Sequence, residues 1–348
     1  MSLTNSKSPE FAQHYSTKLA DYVTALAWSA DGEILAASSA AGEVVLWKNG
    51  ELTNLQTATD KAVNCLAFSH DGKYLAIGGQ DGNVKIWWDD KLISALENAP
   101  IWVDQLAWSH TDNQLAFSLG RYVQIWDADT SKVVATLNFN DSSILGIDWR
   151  KDGKYLAING YKGIKIWSSQ DWDDEPFILP LSTVSTAMAW SDDGKYLASG
   201  NMDRTLTVLQ WEHPDPWVMR GFPGKIRHLA WSEIKTPTDA PILAVSSVDG
   251  IVAWEKSVDE SVGWEAQVLT NHLDIINAIA FAPQSFMLAS AGADGWLCLW
   301  NENKEVSQIF TDTEAGVSTL SWHPQGQLLA AGGEQGELII WSTSGENI

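Results

Sequence analysis

Three His-x-Asp pairs are the residues best able to do chemistry in this chain: His110/Asp112, His213/Asp215 and His272/Asp274. Imidazole and carboxylate donors can bind a metal ion, but a site needs three or four of them converging within bond distance. Asp173 and Asp174 could serve as an acid–base pair if buried. Their neighbours Asp171, Glu175 and Pro176 instead mark an exposed loop, where nothing would raise a carboxyl pKa. Cys65 and Cys298 lie in the apolar runs VNCLAF and WLCLW, form no CxxC pair, and read as small buried apolar residues. No Gly-x-Ser-x-Gly elbow, phosphate loop or dinucleotide fingerprint occurs. The expectation is no catalytic residue, no metal and no cofactor.

Charge narrows the partners. The chain has 44 acidic and 22 basic residues, a net charge of −22. Such a surface repels phosphate backbones, so nucleic acid is excluded as a general partner. The first residues, MSLTNSKSPEFAQHYSTK, contain no apolar stretch of the secretory kind, and no run of 18 apolar residues occurs anywhere. No membrane insertion and an intracellular, cytoplasmic location are expected.

The elements that position these residues repeat. Eight short apolar strands end in tryptophan: Trp47, Trp87, Trp126, Trp167, Trp211, Trp254, Trp300 and Trp341. Each follows another aromatic by 18 to 23 residues: Trp28, Phe68, Trp108, Trp149, Trp190, Trp231, Phe281 and Trp322. The upstream aromatics are 40, 40, 41, 41, 41, 50 and 41 residues apart, which defines repeats one to eight. In repeat two, residues 63–68 alternate as a half-buried strand, Asp71-Gly72 turns, and residues 74–79 form a second strand of small residues. Asp81-Gly82 turns again before a third strand ending at Trp87, and a looser stretch leaves room for a fourth. Four antiparallel strands at this period are a β-propeller blade.

The segments FSHDGKYLAIGGQDGNVKIW, WRKDGKYLAINGYKGIKIW and WSDDGKYLASGNMDRTLTVLQW resemble WD40 repeats. The resemblance covers about residues 12 to 341. It departs from the family where Ala41, Lys162 and Gln335 replace the turn aspartate found at Asp81, Asp203, Asp249 and Asp294. The family's buried Asp–His–Ser–Trp network is implied only in repeat seven, by His272, Ser290, Asp294 and Trp300. Other repeats should rely mainly on apolar stacking.

The expected fold is all-β: an eight-bladed WD40-type propeller, closed by residues 11–19 pairing with the last blade. A seven-bladed ring would leave one repeat out, and none is degenerate enough. The propeller should occupy 11–342, with first strands near 23–28, 63–68, 103–108, 144–149, 184–190, 226–231, 276–281 and 317–322. Residues 1–10 and 343–348 read as tails, the first disordered.

The resemblance implies two faces. The top carries the segments entering each first strand and the turns between strands two and three. The bottom carries the other loops, including most of the acids that follow strand three, such as Asp89, Asp90, Asp174, Glu175 and Glu212. His110/Asp112 and His213/Asp215 fall on the bottom in different repeats, and His272/Asp274 on top, so they cannot share one ion. The top of repeats three to six gathers Arg121, Lys162, Arg204, Lys225 and Arg227, with Trp102, Tyr122, Tyr161, Met202 and Phe222. Exposed Arg, Trp and Tyr are frequent binding hot spots. Trp296 reads either as a top-face anchor or as a cover for the central opening. The family resemblance implies a non-catalytic scaffold or adaptor, a monomeric subunit holding protein partners in a complex. An alternative is a recognition or assembly factor that takes an acidic or phosphorylated peptide on the top face. A basic partner on the acidic bottom is a further reading. An enzyme or small-molecule sensor fits least.

Overall fold

The computed structural model describes residues 10–213, 215–302 and 304–343, all strand and turn with no helix among them. Repeat two shows how the sequence makes its sheet. Val63–Phe68, Tyr74–Gly79, Asn83–Trp88 and Lys91–Glu97 pair in order as an antiparallel meander. The second strand is buried along its whole length. Its small residues are required there, because a Cβ on Gly78 would lie 2.5 Å from the Val103 side chain of the next repeat. In the first turn Ser69 Oγ donates to Asp71 at 2.6 Å, and Gly72 takes a φ of 71°. The same hydroxyl–carboxylate turn recurs at Ser29/Asp31 and Ser191/Asp193.

Seven sheets build the ring, six with four strands and one with six. This corrects the expectation of eight separate blades. Phe177–Trp190 is one unbroken strand, so repeats four and five share a sheet. Its start pairs with the third strand of repeat four (Ile164↔Leu179) and its end with the second strand of repeat five (Trp190↔Leu197). The halves still pack face to face: Ile164, Ile166 and Leu179 meet Trp190, Leu197 and Leu209. The long strand takes in the expected first strand at 184–190. In repeat six the first strand, expected near 226–231, runs instead over His228–Lys235.

Phe11–Lys18 closes the ring by pairing antiparallel with Glu337–Thr343, from Phe11↔Thr343 to Lys18↔Glu337. The Phe11 ring meets Trp322 edge-on at 5.6 Å, and its backbone exchanges two hydrogen bonds with the Gln308 amide. The expected tails lie outside the described residues except for Glu10 and Thr343, and Thr343 ends the last strand.

The upstream tryptophans fasten neighbouring repeats. The indole N–H groups of Trp108, Trp149, Trp231 and Trp322 donate to Ala67, Ala107, Ala189 and Ala280 carbonyls of the preceding repeat at 3.0–3.1 Å. Trp28 reaches Ser321 across the closure at 3.3 Å.

Candidate partner-binding face

Segments entering the first strands lie against the turns between strands two and three, as in the hydrogen bonds from Asn98 N to Gly82 O and Ile144 N to Gly120 O. Together they make the top face. Every one of these turns contains a residue with positive φ: Gly42, Gly82, Gly120, Lys162, Arg204, Val248, Gly295 and Gly336. The ring divides at this position. In repeats one, two, seven and eight a Cβ there would lie 2.3–2.9 Å from backbone of the incoming segment, at Lys61 O, Ala99 N, Ala315 O or Leu19 O. In repeat three nothing stands within 4 Å of a Cβ on Gly120. Repeats four, five and six carry the exposed Lys162, Arg204 and Val248 instead of glycine. A side chain in this conformation costs about 1–2 kcal/mol. Glycine is thus required at this position in repeats one, two, seven and eight, whereas repeats four to six hold strained side chains there, two of the three basic.

Arg121, Arg204 and Lys225 are exposed and Arg227 is half-buried; none makes an ion pair among the described residues. Lys162 is tied to Asp141 at 3.1 Å and lies 5.8 Å from the Tyr161 ring centre. Asp203, next to Arg204, accepts the Thr205 hydroxyl at 2.7 Å. His228 follows Arg227 on the inner strand. Burial first, and the Arg227 charge second, push its imidazole down to about 4, so it is neutral at pH 7. Trp102, Tyr161 and Met202 are about half exposed, and Tyr161 and Met202 stand within two residues of Lys162 and Arg204. Tyr122 is half-buried against the core between repeats two and three. Phe222 is buried and lies 6.2 Å from Trp254, so it is core and not surface. Trp296 is half-buried against the cluster between repeats six and seven.

In repeat seven the structure joins four residues in a chain. His272 Nδ1 donates to Asp294 at 3.0 Å, Nε2 accepts from Ser290 Oγ at 2.8 Å, and Ser290 Oγ accepts from Trp300 Nε1 at 2.9 Å. A satisfied buried network of this kind fixes one arrangement. Sequence reasoning missed a second network at the junction of repeats four and five. Asn159, Ser185, Ser199, Asn201, Thr205 and Thr207 are linked there at 2.7–3.1 Å. The recurrence of Asn and Ser in the otherwise small, apolar second strands was the available signal.

No three His, Cys, Asp or Glu residues among those described are placed to hold a metal. Burial pushes the Cys298 thiol up to about 11 and raises Cys65 further, so neither is a thiolate nucleophile at neutral pH.

A closed ring of four-stranded repeats with paired Trp positions defines a WD-repeat propeller. The sequence matches the family described as WD domain, G-beta repeat over residues 9–48, 50–87, 181–208, 263–301 and 304–342, more than half of the chain. The chain belongs to the WD40-repeat family. The unmatched stretches carry repeats three, four and six, which hold Trp102, Arg121, Lys162, Lys225 and Arg227. Protein FIZZY-RELATED 3 of Arabidopsis thaliana is 26% identical over 199 residues, 55% of this chain and 39% of that protein. Anaphase-promoting complex subunit cdc20 of Dictyostelium discoideum is 27% identical over 218 residues, 60% of this chain and 42% of that protein. Protein HIR1 of Cryptococcus neoformans var. neoformans is 34% identical over 98 residues, 26% of this chain and 11% of that protein. The matches thus span less than half the length of these relatives.

Proposed function

We propose that this protein is a non-catalytic scaffold whose basic top over repeats three to six captures an acidic or phosphorylated segment of a partner protein. The division of the top face carries the reading. Repeats one, two, seven and eight keep glycine where a Cβ would meet the incoming backbone, while repeats four and five place Lys162 and Arg204 at the equivalent strained turn position. Strain kept at an exposed position is a mark of binding surface. Arg121, Arg204, Lys225 and Arg227 make no ion pair among the described residues, so their charge is available to a ligand. Membership of a protein complex is consistent with the cdc20 relative, named as a subunit of one. We take the cytoplasm as the place of action, where Cys65 and Cys298 stay reduced.

The test is binding of fluorescein-labelled phosphoserine and polyglutamate peptides to the full chain. The combined variant Arg121→Ala/Arg204→Ala/Arg227→Ala should lose binding with no change in thermal midpoint. Undiminished binding would refute the proposal.

A further inference from the structure

On the bottom face the Trp211 indole is shared by two cavities between repeats four and five. The first, about 620 Å³, includes Arg150, Lys151, Lys195 and Glu212 in its lining. The second, about 420 Å³, is walled by Tyr155, Ile166, Phe177 and Trp211. Asp174, Glu175 and Glu212 also line it. Trp211 centres a ring cluster, 4.8 Å from Tyr155 and 5.5 Å from Phe177 in the cavity wall and 5.3 Å from Trp190 behind it, centre to centre.

This cluster already seats a cation. The Arg150 guanidinium, held by Asp152, stands 4.3 Å from the Tyr155 ring centre and 5.8 Å from that of Trp211. Arg150 lines the first cavity and not the second. The second cavity uses the same Tyr155 and Trp211, with no lysine or arginine in its lining. Its three carboxylates are exposed and take part in no ion pair or hydrogen bond among the described residues. Aromatic faces beside unneutralised carboxylates attract a cation and repel an anion. Phe177 and Ile178, each about half exposed, extend an apolar rim along which the stem of a long side chain can lie.

We infer that this cavity seats a lysine or arginine side chain from a basic segment of a protein partner. The occupant is cationic because of the three carboxylates, and long-stemmed because of the apolar walls. The net charge of −22 draws such a segment in at long range, while the rings decide where it docks. The site is on the face away from the basic arc, so it stands independently of the top-face proposal.

Fluorescence anisotropy on the full chain tests this with labelled hexa-arginine, hexa-lysine and uncharged hexa-citrulline peptides. The two cationic peptides should bind and the citrulline peptide should not. Phe177→Leu, which keeps apolar volume but removes the π face, should weaken binding about tenfold. Glu175→Gln/Glu212→Gln should weaken it about as much, whereas Asp89→Asn/Asp90→Asn removes equal charge from repeat two on the same face and should leave affinity within about twofold. Equal losses in the two charge variants, unchanged binding in Phe177→Leu, or binding of the citrulline peptide would each overturn the inference. A difference between hexa-arginine and hexa-lysine identifies the preferred head group.

Discussion

The Asp148 carboxylate accepts the backbone N–H of Trp190 at 2.7 Å across the junction between repeats four and five. The corresponding positions in the other repeats hold Ala27, Ala67, Ala107, Ala189, Ala230, Ala280 and Ser321. At this junction the usual indole bond is missing, and Trp190 Nε1 has no partner among the described residues. Burial outweighs two backbone donors and pushes Asp148 up to about 7. A carboxyl raised above its unfolded value favours the folded state fully at acid pH, and that contribution is lost as pH rises through about 7. Asp148→Ala should therefore stabilise the protein at pH 8 by on the order of a few kcal/mol, with a smaller gain at pH 5. Thermal midpoints of both proteins across this range check it; a gain independent of pH would contradict it.

The turns at Lys162 and Arg204, with φ of 72° and 66°, separate stability from binding. Glycine at either position should raise stability by about 0.5–1 kcal/mol, after the entropy of a freer unfolded chain is deducted. The same substitutions should weaken acidic-peptide binding. Denaturant midpoints and peptide affinities measured on one preparation test both halves.

Gly120 and Gly336 share a positive φ but not their surroundings. Gly120→Ala meets open space and should lose only the backbone strain, about 1–2 kcal/mol. Gly336→Ala places its Cβ 2.5 Å from Leu19 O, in the segment that closes the ring, and should lose more. Equal urea midpoints for the two variants would show that the incoming segment yields without penalty.

Ser290 joins His272 to Trp300 inside repeat seven. Ser290→Ala leaves two buried groups unpaired and should destabilise the protein by about 2–4 kcal/mol. Calorimetry reads the loss directly.

The aromatic period made the repeats legible, and Phe11–Lys18 was readable as the closing strand because only an N-terminal segment stood at the right distance. The shared sheet was not. FILPLSTVSTAMAW contains Pro180, which normally ends a strand, yet here Pro180 opposes Gly163 and the chain runs on into repeat five. Phe222 was misplaced because a Pro-Gly pair beside it reads as an exposed loop, while its ring turns into the core between repeats five and six. The basic residues of the top were visible as residues, but not the strain at Lys162 and Arg204, since long side chains rarely adopt positive φ. The bottom cavity was invisible because Tyr155, Phe177 and Trp211 come from three different strands or strand ends and meet only after the sheets pack.

The pairing of Phe11 with Thr343 also determines how the molecule responds to mechanical load. The chain enters one strand and leaves the other at the same end of an antiparallel pair. Tension applied through the two ends therefore falls on the hydrogen bonds one at a time, from Phe11/Thr343 toward Lys18/Glu337, rather than on all of them in shear. The ring would thus open at low force, at its clasp first.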